Sequence, residues 1–150
     1  MGILISLHNI IRWIVVLFAV FAVVRAYRGW LTNQEYTEQD RKIGVFFGVS
    51  MDTQLLLGII LWIFGSWGIK AFDTASGLDG AERMSVLFFA IEHAFTMVVA
   101  VVLVHVGTIA AKRADNARNK HKWSAIIFSI AILLVLFAIP WTQRPLFPGL

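Results

Sequence analysis

The 150-residue chain contains no cysteine, which excludes disulfides, thiolate metal sites and a covalently attached c-type haem. Charge is scarce as well. Only 15% of residues are Asp, Glu, Lys or Arg against 59% apolar, and mean hydropathy is +0.77, outside the range of soluble domains. No internal repeat or low-complexity segment is present. Nor is there the alternating polarity over about ten residues that a barrel strand requires. The chain reads as an integral membrane protein with one domain over residues 1–150, because every long segment must pack against the others to hide its polar groups.

What is abundant is continuous apolar sequence. Four runs, at residues 3–24, 43–69, 84–111 and 123–141, each meet the requirement of roughly 20 mainly apolar residues for a spanning helix. The fold class expected is an all-α membrane protein with four transmembrane helices in an up-down bundle. Trp30, Trp67, Trp123 and Trp141 fall near the expected helix ends, where indole favours the headgroup layer.

The net charge of +4 and pI near 9.9 do not indicate nucleic acid, because the basic residues sort by side. Arg25, Arg28, Arg41 and Lys42 follow the first run, and Lys112, Arg113, Arg118, Lys120 and Lys122 follow the third. The other side has Lys70, Arg83 and Arg144, while Arg12 lies within helix one. By the positive-inside rule loops 25–42 and 112–122 are cytoplasmic, and both termini and loop 70–83 face outward. The setting implied is a bacterial inner membrane. No basic region precedes helix one and no small-residue cleavage pattern follows it, so that helix is expected to be retained. The start also matches a myristoylation pattern formally, but those residues belong to the helix. The polar loop 32–40 is expected to be ordered only by its ends.

Within this apolar background a few ionisable residues stand out. Glu92 and His93 are adjacent in the third run, His8 lies in the first with Arg12 one turn later, and Asp52 and His105 lie in the second and third. Groups of this kind at bilayer depth mark functional sites by default. At about 1.5 Å per residue from the basic boundaries, His8 and His93 both fall at roughly 25–28 Å, Arg12 at about 20 Å, Asp52 at about 15 Å and His105 at about 10 Å. The two deep histidines share a level in the outer leaflet.

A matched pair of neutral imidazoles on facing helices suits the two axial positions of a haem b iron, the porphyrin filling the apolar interior. His8 and His93 are the candidate ligands, and hydrogen-bonded structural histidines are the alternative. Glu92 would orient an imidazole or accept a proton, and Arg12, Arg83 or Arg144 would pair with propionates. Successive helical residues point about 100° apart, so Glu92 is expected to face a neighbouring helix if His93 faces the cofactor. Met97, one turn beyond His93, reads as packing. His105 points about 120° from His93 and cannot share its iron. A second haem would need another ligand at its depth, and helices one, two and four offer no histidine there. Arg12 and Asp52 are expected to be ion-pair partners. The sharper alternative puts Asp52, with Gln54, in a proton path or quinone site, although the two point about 200° apart. Gly44, Gly48 and Gly58 allow close approach in helix two. Phe46, Phe47, Phe88 and Phe89 would serve lipid or a partner subunit.

The set formed by His8-x-x-x-Arg12-Trp13, Asp52-Thr53-Gln54-Leu55-Leu56-Leu57-Gly58 with Trp62, Glu92-His93 with Met97, and Pro140-Trp141 resembles small four-helix bacterial membrane proteins described as cytochrome b. The resemblance runs over nearly the whole chain and implies a membrane-bound haem and electron transfer. In such proteins a histidine can stand where this chain has Asp52, and another lies near the end of helix three, where this chain has His105. The expected function is a b-type cytochrome with one haem, exchanging electrons with quinone or within a respiratory or photosynthetic complex. Its expected partners are lipid, other membrane subunits or a homo-oligomer, and not nucleic acid. A haem-free accessory subunit, or a small proton or ion transporter using Asp52, Glu92 and His93, is the alternative.

Overall fold

The structure is a computed structural model that describes residues 1–141. Four of its helical segments are long and apolar enough to cross a bilayer, and the protein is an all-α integral membrane bundle. Helix α1 is Gly2–Leu31, α2 is Glu38–Phe64, and short helices α3 (Lys70–Ala75) and α4 (Gly80–Leu87) follow. A π-helical turn, Phe88–His93, joins α4 to α5 (Ala94–Arg113), and α6 is Ala117–Ala138. The third span is therefore α4, the π turn and α5 together, Gly80–Arg113. Around the bundle α1 packs on α2 and α6, and α5 packs on α2 and α6.

Amphipathicity does not choose the buried faces, because α1 is hydrophobic all round. Residue size does. The buried positions of α1 are Arg12, Val15, Ala19, Ala22, Ala26 and Gly29, an alternating three-and-four spacing that forms a seam down one side. In α5 the buried set is Ala100, Val101, Val104, Gly107 and Ala111. Small residues let the backbones come close in a medium that offers no hydrophobic drive between helices. Phe47 and Phe128 fill the space left between the seams, edge to face at 5.5 Å.

Four helix ends differ from the apolar runs for identifiable reasons. Helix α2 starts at Glu38, within the polar stretch, because Thr37 and Asp40 form a capping box: Asp40 Oδ2 accepts from the Thr37 N–H at 2.9 Å, and Thr37 Oγ1 accepts from the Asp40 N–H at 3.4 Å. Loop 32–37 is fixed at its other end by Asn33, whose positive φ of 52° lets the Gln34 N–H reach Gly29 O at 3.0 Å. Helix α2 also stops at Phe64, five residues before the apolar run does. The chain turns there so tightly that a Cβ on Gly65 would strike Leu61 O and one on Gly68 would strike Trp62 O. Helix α6 begins at Ala117, capped by Asn116 Oδ1 accepting from the Asn119 N–H at 2.9 Å, and ends two residues before Pro140.

Candidate functional site

His8 and His93 meet inside the end of the bundle away from the basic loops. Helix α1 brings His8 inward in its second turn, and His93 closes the π turn. Their ring centroids are 6.3 Å apart with an interplanar angle of 63°. The wide turn has its own anchor: Trp62 Nε1–H of α2 donates to Ala90 O at 2.9 Å. π turns interrupt α-helices chiefly at functional positions, and this one holds the Glu92-His93 pair.

The tautomer of His93 is set by its surroundings. A carbonyl oxygen only accepts, so His93 Nδ1–H donates to Ala138 O of α6 at 2.9 Å, which leaves the Nε2 lone pair for a ligand. Phe88 and Phe89 flank the same ring at centroid distances of 6.3 and 5.8 Å. Across the gap, His8 Nδ1 is buried with no hydrogen-bond partner, an arrangement that buried polar groups rarely keep without a ligand or water. Gln54 Nε2 donates to His8 O at 3.0 Å and ties this turn of α1 to α2. Gly58 lies against the His8 ring, where a Cβ would come within 3.5 Å of Cε1.

His8 and His93 would be the residues to hold a metal-containing group between them, since their ring centroids stand 6.3 Å apart and two imidazoles sharing one ion would have ring centres roughly 6 Å apart. Among the described residues no group of three or more His, Asp or Glu converges.

The remaining candidates are distributed as follows. Arg12 is buried on α1 with its guanidinium 5.4 Å from the Trp13 ring centroid. Glu92 is exposed, and the group that holds the His93 ring is a backbone carbonyl on α6, not Glu92. Met97 packs against the core. Arg83 is exposed on α4, and Arg144 lies outside the described residues. Phe47 is fully buried in the core, and Phe46 is exposed and stacked on Phe18 at 5.7 Å.

The expected pairing of Arg12 with Asp52 is not formed. Asp52 Oδ1 is bonded to His105 Nε2 at 2.8 Å instead. Gln54 points to α1, and Asp52, on the opposite side of α2, can only meet α5. The 120° offset between His93 and His105 holds, since α5 is regular between them.

One polar cluster has no counterpart in the sequence reading. His121, 2% exposed, lies at the basic end of the bundle against Gly29, where no Cβ would fit. Its Nε2–H donates to Glu35 O at 3.3 Å, its ring meets Tyr36 at 5.0 Å, and its Nδ1 is buried without a partner. A cavity of about 10 Å³, lined in part by His121, Tyr36, Ser124, Arg25 and Asp40, has room for about one water. Arg25 Nε donates to Asp40 Oδ1 at 2.8 Å beside it. The Lys120-His121-Lys122 run looks like a solvated basic face. The small residue Gly29 opposite was the available signal.

Fold and site together define a four-span membrane bundle with an internal histidine pair. Comparison with family models, with curated proteins and with solved structures finds no match to this chain.

Proposed function

We propose that the protein is a membrane electron carrier in which His8 and His93 hold one haem b between α1 and the π turn. The observation that carries this reading is the histidine pair itself: rings 6.3 Å apart, one Nδ1 committed to Ala138 O and the other buried without a partner. When bound, the haem supplies a one-electron change at iron. The residues supply the rest. Ala138 O fixes the His93 tautomer, Gln54 and Trp62 fix the two backbones that carry the ligands, and Phe88 and Phe89 keep water from the rings. Arg12, buried one turn from His8, would supply positive charge to the propionates, with Arg144 as a further candidate. Glu92 is turned outward and takes no part in holding the His93 ring.

The charge asymmetry supports a bacterial inner-membrane setting with loops 25–42 and 112–122 in the cytoplasm, which puts the histidine pair in the outer half of the bilayer. A transporter using Asp52, Glu92 and His93 is less well supported: Asp52 is bonded to His105, and Glu92 faces away from His93.

The test is a reduced-minus-oxidised visible spectrum of the protein purified in lipid. An α-band of haem b type is expected, lost in His93→Ala and in His8→Ala and kept in Glu92→Gln. Lipid-preserved protein without the band would overturn the proposal, as would a band that survives either histidine substitution.

A further inference from the structure

Asp52 and His105 form a dyad on the outside of the bundle. Asp52 Oδ1 and His105 Nε2 are 2.8 Å apart, and the side chains are 50% and 51% exposed. Around them Val49, Leu56, Val102 and Val106 are exposed too, so the dyad opens onto a surface of lipid-facing character about 10–15 Å in from the basic ends of its helices. An ionisable pair at such depth is costly and conventionally faces the bundle interior or a water-filled cavity. This one is turned to the outer surface of the bundle.

The chemistry of the open position is specific. With Asp52 ionised and His105 neutral, His105 Nε2–H donates to Asp52 Oδ1 at 2.8 Å. In that tautomer His105 Nδ1 carries a lone pair, with no hydrogen-bond partner among the described residues. A hydroxyl donor dissolved in the bilayer is the group whose chemistry matches that lone pair. A second protein helix is the poorer occupant. Membrane helices meet most closely through small residues, and the exposed neighbours of the dyad are mainly Val49, Leu56, Val102 and Val106, while Gly44, Gly48, Ala100, Gly107 and Ala111 are turned inward.

We infer that the Asp52–His105 dyad binds the headgroup of a lipid-soluble quinol, whose hydroxyl donates to His105 Nδ1 while its ring lies on the apolar surface beside it. The choice of a quinol among lipid-soluble hydroxyl compounds rests on the electron-carrier reading, which requires a redox partner within the membrane. Asp52 holds the imidazole in the tautomer that accepts this bond.

The test is photolabelling of the whole protein in phospholipid vesicles with a short-chain azido-ubiquinone kept reduced. Label is expected on the α2 and α5 segments around Asp52 and His105, displaced by decylubiquinol and not by added phospholipid. Labelling should fall about tenfold, the value of one lost hydrogen bond of roughly 1.4 kcal/mol, in the double variant Asp52→Leu, His105→Leu. Asp52→Asn, which keeps the shape, should weaken it as well and covers the case in which the leucines disturb folding. Absence of label, or label undiminished in the folded variants, overturns the inference. So does efficient disulfide formation between copies carrying Val49→Cys, which would give this face to a second copy. His93→Ala should lose the haem band and keep the label, so failure of the haem reading and failure of the quinol site are separately visible.

Discussion

At the scale of single residues, what decides the site is which groups are left without a partner. His8 Nδ1 and His121 Nδ1 are both buried and unbonded, and His121 lies against Gly29, whose missing Cβ leaves space for its ring. Gly29→Ala puts a methyl group inside the His121 ring. It should destabilise the protein by about 1–3 kcal/mol through overpacking, read as a lower thermal midpoint in detergent, and an unchanged midpoint would remove His121 from that position. Tyr36, in the α1–α2 loop, has its hydroxyl pKa raised above the ordinary 10.0 by burial. The folded state therefore holds the phenolic proton to higher pH than the unfolded state does. The stability it contributes is complete below pH 10 and is lost as pH rises from there through the folded value. Tyr36→Phe should flatten that alkaline fall in a series of melting curves.

The pairing of Asp52 is set by angle and not by depth. Asp52 stands about 5 Å in depth from both Arg12 and His105, so depth could not choose between them. The angle could: Gln54, on the other side of α2, reaches α1, which leaves Asp52 to α5.

At the scale of elements, the four spans were legible because hydrocarbon thickness demands long apolar runs, but their ends were not. Thr37 and Asn116 cap α2 and α6, and both precede polar turns that an apolar count leaves out. The stop at Phe64 depends on Gly65 and Gly68, whose neighbours Trp67 and Ile69 continue the apolar run. The π turn has no sequence signature, since nothing in Phe88–His93 marks a change from four-residue to five-residue hydrogen bonding. Its effect on the site is testable by removing one residue. Deletion of Ile91, exposed in the turn, restores α geometry and rotates Phe88, Phe89 and Ala90 by about 100°. It should break the Trp62–Ala90 bond and lower haem retention per protein in a pyridine haemochrome assay, while Ile91→Val leaves it unchanged. Gly107 tests the packing of α5 on α6, because a Cβ there would lie 2.8 Å from Phe128 Cε1. Gly107→Ala should cost about 1–3 kcal/mol, seen as a lower thermal midpoint.

At the scale of the whole molecule, two polar ends and a charge gradient organise the bundle. The histidine pair lies at the end with few basic residues, and the His121 cluster and the basic loops lie at the other. The absence of cysteine makes orientation simple to check. A membrane-impermeant maleimide should label Ser76→Cys, in the loop between α3 and α4, in intact spheroplasts, and Asp115→Cys, between α5 and α6, only after the membrane is opened. The reverse pattern would place the histidine pair in the cytoplasmic half.

The central claim is that His8 and His93 are the two axial ligands of one haem iron, and electron paramagnetic resonance of the oxidised protein in lipid tests it most directly. The account predicts a low-spin bis-imidazole signal at one haem per chain, converted to high spin or lost when either histidine is replaced by alanine. A wild-type signal that is high spin, or a low-spin signal that persists in His8→Ala or His93→Ala, would contradict it.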